Sequence, residues 1–132
     1  MALILCIETG TDICSVGIAR DGELLSLRES DEGRDHARKV GVFVDELLRE
    51  TGIAPDDLDA VAVGKGPGSY TGLRIGVSFA KGLALSLDVP MMEINHLQGH
   101  IFSHFIDLPD RELPHPRFPF LCLLFFLFCI LL

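Results

Sequence analysis

The sequence predicts an α/β fold: a mixed β-sheet that opens with three antiparallel strands and carries helices on its faces. Two apolar runs near the start are separated by a short polar loop, and an Asp-Gly turn leads into a third run. From about residue 35, segments with helical periodicity alternate with short apolar runs. Hairpins first and crossovers later are typical of a mixed sheet. A chain of 132 residues, 48% of them hydrophobic, predicts a single domain.

The opening strands are predicted from composition and turn signals. Residues 3–7 and 13–19 are aliphatic or β-branched runs joined by the loop ETGTD, which favours two strands connected by a tight turn. Asp21 and Gly22 give a second turn signal before ELLSLRES, a pattern that favours another hairpin. We therefore expect three antiparallel strands in sequence order.

The first helix is predicted within DEGRDHARKVGVFVDELLRETG. Gly52 stands where a C-terminal cap belongs, as is common for glycine after a helix. The apolar residues recur at helical spacing and include Val40, Phe43, Val44 and Leu47. The segment LDAVAVG that follows predicts a buried strand.

A second helix is predicted from Thr71 to Leu87. Gly72, Gly76 and Ala80 lie four residues apart and form a stripe with almost no side chain, along which another backbone can approach closely. Because the remaining positions are also largely apolar, this helix needs two covered faces. We expect one face to pack on the sheet and the other to be covered by a second element, either within the chain or from a partner. The stripe is the candidate site for a second polypeptide. The segment PMMEIN then predicts a short strand before a helix that carries histidines.

Composition narrows the function classes. The net charge of −8 and the pI near 4.9 argue against a protein that binds nucleic acid by itself, so any contact with RNA is expected to be indirect, through a basic partner. The four cysteines form no CxxC pair, which favours reduced thiols of a cytoplasmic protein. The start lacks a basic region before its apolar run and is a poor signal peptide. The uncharged residues 118–132 are too few to span a bilayer, so we expect no membrane partner.

Two loops are candidates for binding a nucleotide. The segment GKGPGSYTGLRIG follows a strand and enters a helix, a context that suits backbone amides aimed at an anion. Its glycines equally permit a sharp turn and close packing, and the residues alone favour packing. In ETGTD the hydroxyls and amides could face a phosphate with the aspartate near magnesium, or they could hydrogen-bond only their own turn. The candidate nucleotide-binding residues are Thr9, Gly10, Thr11, Asp12, Gly66 and Gly68.

Three histidines lie four residues apart at His96, His100 and His104. Neutral imidazoles at this spacing share a helix face and can chelate zinc or iron. A functional metal centre generally has a third protein ligand and supporting hydrogen bonds. From the residues alone, histidines on a solvated face are slightly favoured over metal ligands.

The motifs GKGPGSYTGLRIGVSFAKGLA, ILCIETGTDICSVGI and DHARKVGVFVDELL resemble the TsaB (YeaZ) family over about residues 1–85. This family belongs to the bacterial machinery that forms threonylcarbamoyladenosine in tRNA. From about residue 86 to 123, LDVPMMEINHLQGHIFSHFI and RFPFLCL are similar to the paralogous TsaD (Gcp/glycoprotease) family, whose histidine pair binds a metal. The resemblance implies the first lobe of the actin/Hsp70-like ATPase (ribonuclease H-like) fold.

The resemblance also divides the chain and marks where it departs from TsaD. We expect a lobe at residues 1–107, a proline-rich connector at 108–119 and an apolar, non-native tail at 120–132. TsaD would continue after FPFLCL into a Ser-Gly-Gly-His-Thr loop and a second lobe that completes the metal site. This chain continues with LFFLFCILL instead, as a recombined or frame-shifted gene would.

Two functional readings follow from the resemblance. In the first, the chain is a non-catalytic TsaB-like partner that binds a TsaD-type subunit, or a second copy of itself, through its two helices. In the second, it is a truncated TsaD-like threonylcarbamoyltransferase in which His96 and His100 hold zinc or iron. Its loops would then face ATP or threonylcarbamoyl-adenylate with magnesium. A membrane-associated tail is the least favoured reading. The expected partner-interface residues are Val40, Phe43, Val44, Leu47, Gly72, Gly76 and Ala80.

Overall fold

The computed structural model describes residues 2–32 and 35–103, with side chains up to residue 99. Within these residues the elements follow the predicted order β-β-β-α-β-α-β-α, with one additional 3-10 turn before β4. The strands are β1 (Leu3–Glu8), β2 (Cys14–Arg20), β3 (Glu23–Ser30), β4 (Ala60–Gly66) and β5 (Met91–Asn95). The helices are α1 (His36–Thr51), α2 (Tyr70–Leu87) and α3 (His96–Ser103).

The five strands form one mixed sheet in the order β3-β2-β1-β4-β5. β1, β2 and β3 pair antiparallel, whereas β4 pairs parallel with β1 and β5 pairs parallel with β4. Leu5 lies opposite Ile18 on one side and Val61 on the other. The predicted fold class, a mixed sheet with helices on its faces, is therefore confirmed.

Local signals fix the helix ends. Gly52 adopts a left-handed conformation with φ of 66° and its N–H donates to carbonyls of the last turn of α1, which is the predicted C-terminal cap. Ser69 caps the start of α2, where its hydroxyl accepts the N–H of Gly72 at 3.3 Å. Asp88 ends α2 in the left-handed region with φ of 54°.

The hydrophobic core lies between one face of the sheet and the two helices α1 and α2. Alternate residues of β1 and β2 point into it, and α1 and α2 contribute their apolar stripes. The fully buried side chains include Leu5, Val16, Ile18, Val40, Leu47, Val61 and Ala80. The other face of the sheet carries the alternate residues of β1, among them Glu8, and packs against α3 through β4 and β5.

Among the described residues, no helix combines the length and the apolar character needed to cross a bilayer. The predicted connector and tail, residues 108–132, lie outside the described residues. The division of the chain into these segments stays a prediction.

Candidate functional site

The ends of β1, β4 and β5 lie together at one edge of the sheet. Because β1, β4 and β5 run parallel, their carboxyl ends meet at the same edge. Glu8 is the last residue of β1, Gly64 and Gly66 lie at the end of β4, and His96 follows β5 directly. The carboxyl edge of parallel strands is the usual place for a ligand site in open α/β sheets.

Glu8 and His96 form the best-defined polar contact at this edge. The Oε2 atom of Glu8 lies 3.3 Å from Nδ1 of His96, and its Oε1 atom accepts the backbone N–H of Gly10 at 2.6 Å. The side chains of His96 and Glu8 are 10% and 32% exposed. One carboxylate thus joins the β1–β2 loop to the histidine helix.

The start of α3 is fixed by Asn95. Its side-chain oxygen accepts the backbone N–H groups of Leu97 and Gln98 at 2.9 and 3.2 Å, as expected of an asparagine at a helix N-cap. This cap places His96 at the first helical position, with its imidazole turned to Glu8 of β1. His100 lies four residues later in α3, but its side chain is outside the described part of the chain, as is all of His104.

Two imidazoles from one helix are suitable donors for zinc or iron, and a carboxylate behind one of them is a frequent companion of such a ligand. The contact between Glu8 and His96 therefore fits a metal site. Within residues 2–32 and 35–103, however, no group of three histidine, cysteine or acidic side chains is placed to hold an ion. The metal assignment of His96 and His100 stays a prediction.

The two candidate nucleotide loops pack directly against each other. The carbonyl of Gly10 accepts the N–H of Ser69 at 2.7 Å, and a Cβ atom on Gly68 would lie 2.5 Å from that same carbonyl oxygen. Gly66 has φ of +107°, a conformation that strongly favours glycine. The packing role of these glycines, which the residues alone favoured, is thus supported. Nucleotide binding at Gly10, Gly66 and Gly68 remains a prediction.

The expected role of Thr9 needs correction. Its side chain is fully buried and its hydroxyl donates to the carbonyl of Gly72 at 2.7 Å, so it fastens β1 to α2 and does not face a phosphate. Thr11 and Asp12 lie at the surface, where the Thr11 hydroxyl accepts the N–H of Ile13 at 3.2 Å. Thr11 therefore forms a hydrogen bond within its own turn, which was one of the two alternatives for the ETGTD loop.

A cleft of about 260 Å³ opens between the N-terminal ends of α1 and α2. Its lining includes Thr11 and Asp12 of the loop, Thr71 of α2 and His36 of α1. His36 is buried, and its Nε2 lies 2.8 Å from the carbonyl oxygen of Thr11. A carbonyl can only accept, so Nε2 is the protonated nitrogen of this ring. Thr11 and Asp12 were among the candidate nucleotide-binding residues, whereas no sequence pattern singled out His36.

The expected partner interface is corrected by the structure. Gly72, Gly76 and Ala80 are buried, and Cβ atoms added at the two glycines would lie 2.0 and 2.2 Å from the carbonyl and hydroxyl oxygens of Thr9. The chain therefore fills the stripe itself. Three of the remaining expected residues, Val40, Val44 and Leu47, are also buried, and Phe43 is partly buried against the same core.

Apolar side chains do remain exposed on the outer surfaces of the two helices. Val42 of α1 is 46% exposed and Leu85 of α2 is 85% exposed. Gly82, also on α2, has no atom within 4 Å of the place where a Cβ would stand. Any partner of these helices would meet this outer face, which is a different surface from the buried stripe.

Two cysteines in the described part of the chain are free thiols, Cys6 and Cys14. Burial raises the pKa of the Cys6 thiol above its usual value of 9.0. Burial also raises the pKa of Cys14, and the ammonium group of Lys39 offsets part of that rise. Both thiols therefore stay protonated at neutral pH. Cys14 is buried and Cys6 is partly buried.

The comparisons with known proteins agree with this architecture. The family model described as TsaD, tRNA N6-adenosine threonylcarbamoyltransferase, matches residues 30–125. A tRNA N6-adenosine threonylcarbamoyltransferase of Phocaeicola vulgatus is 39% identical over 136 residues, which cover 92% of this chain and 40% of that protein. The enzyme of Porphyromonas gingivalis is 38% identical with the same coverage. The chain thus spans about 40% of the length of these relatives.

Solved structures are similar in fold. YeaZ from Pseudomonas aeruginosa superposes with a TM-score of 0.75 and 33% identity, covering 81% of this chain and 50% of that one. RuvC of Thermus thermophilus superposes with a TM-score of 0.52 at 14% identity, covering 83% of this chain and 74% of that one. The predicted ribonuclease H-like, actin-like ATPase fold is confirmed.

The predicted membership in the TsaB and TsaD group is confirmed, but the division into two differently related segments is not. The TsaD model begins to match at residue 30, well inside the part expected to resemble TsaB, and the Phocaeicola vulgatus relative aligns across 92% of the chain. No change of relationship near residue 85 is needed to account for these matches. The chain belongs to the TsaD family of tRNA N6-adenosine threonylcarbamoyltransferases.

Proposed function

We propose that the chain contributes the first lobe of a threonylcarbamoyltransferase, which passes a threonylcarbamoyl group from an adenylate to the N6 amine of the adenosine beside the anticodon of tRNA. The observation that carries the proposal is the pairing of Glu8 with His96 at the carboxyl edge of the sheet. A relative with this enzyme name aligns with 92% of the chain. This choice favours the enzymatic reading over the TsaB-like one.

The described residues would serve the reaction mainly by positioning groups. His96 and His100 would hold zinc or iron, which would polarise an oxygen of the transferred group. The loops around Gly10 and Gly68 would form the wall beside ATP or the adenylate with magnesium. Of these two proposed ligands, only His96 has a described side chain, and the side chain of His100 lies outside the described part of the chain. The chain's net charge of −8 would leave most tRNA contacts to other parts of the assembly.

A second candidate is supported by a separate observation. The chain is 33% identical to YeaZ from Pseudomonas aeruginosa with a TM-score of 0.75, and apolar side chains such as Val42 and Leu85 are exposed on α1 and α2. In this alternative the chain is a non-catalytic cytoplasmic partner. It would bind a TsaD-type subunit, or a second copy of itself, through the outer face of the two helices.

Two bacterial strains separate the candidates. One is depleted of its own TsaD-type transferase and the other of its own YeaZ-type protein, and each expresses this chain at a level verified by immunoblot. The measured quantity is threonylcarbamoyladenosine in digested tRNA, determined by mass spectrometry. Because the chain contributes one lobe, the first strain also expresses the second lobe of a TsaD-type transferase as a separate chain. We expect recovery of the modified nucleoside in that strain and its loss with His96→Ala.

The second candidate has the opposite signature. It predicts recovery only in the strain without the YeaZ-type protein, retained with His96→Ala and lost with Leu85→Glu. Ser86→Glu adds the same charge to the neighbouring exposed position and is the matched control. Absence of recovery in both strains, with the chain present at normal levels, would contradict both candidates.

A further inference from the structure

The carboxylate of Glu8 is enclosed by three neighbours. Oε1 accepts the N–H of Gly10 at 2.6 Å and Oε2 lies 3.3 Å from Nδ1 of His96. On the third side is Gly64, where an added Cβ would come within 2.1 Å of Oε2. The absence of a side chain at Gly64 therefore provides the space in which the carboxylate can reach His96.

This contact determines how the proton of the His96 imidazole is placed. An ionised carboxylate can only accept hydrogen bonds, so the nitrogen that faces it must be the protonated one. In the neutral ring Nδ1 then carries the hydrogen and Nε2 carries the lone pair. A metal ion binds the nitrogen with the lone pair, and a carboxylate on the other nitrogen fixes the tautomer and the ring orientation.

We propose that Glu8 is the positioning residue of His96: it fixes the Nδ1–H tautomer, presents Nε2 to a divalent metal ion, and ties this imidazole to the β1–β2 loop. The part of this inference that concerns the metal ion rests on the proposed function, whereas the part that concerns the tautomer of His96 does not. Glu8 acts through His96 on one oxygen and through Gly10 on the other, so one carboxylate connects the histidine helix with the β1–β2 loop.

The simpler explanation is that Glu8 only holds the loop through Gly10. Glu8→Gln distinguishes the two, because an amide offers one acceptor oxygen and a donor NH2 in place of two acceptors. If the amide oxygen keeps Gly10, the NH2 faces His96 and favours the opposite tautomer, with hydrogen on Nε2. If Glu8 only held the loop, Glu8→Gln would leave the tautomer of His96 unchanged.

The tautomer can be read directly in the metal-free chain. Long-range hydrogen–nitrogen correlation spectra of isotope-labelled protein, recorded at a pH where imidazole rings are neutral, report which nitrogen carries the proton. His36 is an internal reference of the opposite kind, because its Nε2 donates to the carbonyl of Thr11. We expect Nδ1–H for His96, a change to mainly Nε2–H with Glu8→Gln, and no change with Glu29→Gln. Disappearance of the signals in His96→Ala assigns them.

The second measurement is the affinity for Zn²⁺ alone, obtained by competition with a coloured chelator. Loss of a group that supports a metal ligand typically weakens binding by about 10 to 100-fold, and we expect this range for Glu8→Gln. Gly64→Ala should weaken binding comparably because its methyl group displaces the same carboxylate. Glu29→Gln, on the exposed side of β3, should bind as the unchanged chain does.

The outcomes separate this inference from the proposed function. An Nε2–H tautomer in the unchanged chain would overturn the assignment of Glu8 whatever the chain does in cells. Equal Zn²⁺ affinities of the unchanged chain and Glu8→Gln, or no affinity in the unchanged chain, would overturn the metal-positioning role. A correct tautomer and a weakened variant, together with failure of tRNA modification in both strains, would leave Glu8 as assigned and remove the transferase proposal.

Discussion

Replacing Gly72 by alanine tests whether the small-residue stripe of α2 is filled by the chain itself. A Cβ at this position would lie 2.0 Å from the carbonyl oxygen of Thr9, whereas ordinary contacts begin at 3.4 Å. The oxygen would have to retreat by roughly 1.4 Å, the difference between these two distances. Thr9 directly follows β1 and is fully buried, so the backbone itself must move.

The magnitude follows from two destabilising terms and one stabilising term. Overpacking of this kind typically destabilises by about 1–3 kcal/mol, and displacement of Thr9 also weakens its hydrogen bond to Gly72, worth about 1 kcal/mol. Against this, alanine stabilises a helix relative to glycine by up to about 1 kcal/mol. We expect Gly72→Ala to lower the free energy of unfolding by about 2 kcal/mol, given these magnitudes.

Gly82→Ala is the matched control in the same helix. No atom lies within 4 Å of its added Cβ, so only the helix preference of alanine remains and the variant should gain about 1 kcal/mol. Urea unfolding followed by circular dichroism measures both free energies, with equal m-values as the check on comparable unfolding. If Gly72→Ala were stabilised as much as Gly82→Ala, the stripe would be open and the reasoning would be refuted.

Three further predictions concern the same packing and the buried thiols. Thr9→Val removes the hydrogen bond to Gly72 and should destabilise by about 1–2 kcal/mol in urea unfolding; an unchanged midpoint would contradict the role assigned to the hydroxyl. Ser69→Ala removes the cap of α2 and should destabilise by about 1 kcal/mol by the same assay, with a neutral result counting against the cap. The raised pKa values of Cys6 and Cys14 mean that unfolded thiols ionise first, so their contribution to stability is present below the usual value of 9.0 and is lost as pH rises further. The free energy of unfolding, measured below and above that pH, should fall less in a variant with both cysteines replaced by alanine than in the unchanged chain. An equal fall in the two proteins would contradict burial of the thiols.

Local patterns predicted the elements well. The order of strands and helices, the turn at Asp21 and Gly22, and the cap at Gly52 all depend on residues within a few positions of each other. Such signals reflect local backbone preferences and hydrophobic periodicity, and both can be read from a single sequence. The fold class could therefore be predicted before any tertiary contact was known.

The site was predicted only in part. His96 was singled out by its spacing, but its neighbour Glu8 lies 88 positions earlier and was not. The available signal was a charged residue at the end of the otherwise apolar strand β1. Because β1 and β5 are not adjacent in sequence, only the sheet order, with β4 between them, shows that their carboxyl ends meet.

The sequence by itself determined that some backbone lies close to α2, since glycines every four residues permit such an approach and few other arrangements require them. The tertiary structure decided which group lies there: Thr9, directly after β1, occupies the stripe with its backbone at Gly72 and its side chain at Gly76. The physical reason is that a missing side chain specifies a space and its shape but carries no information about the group that fills it.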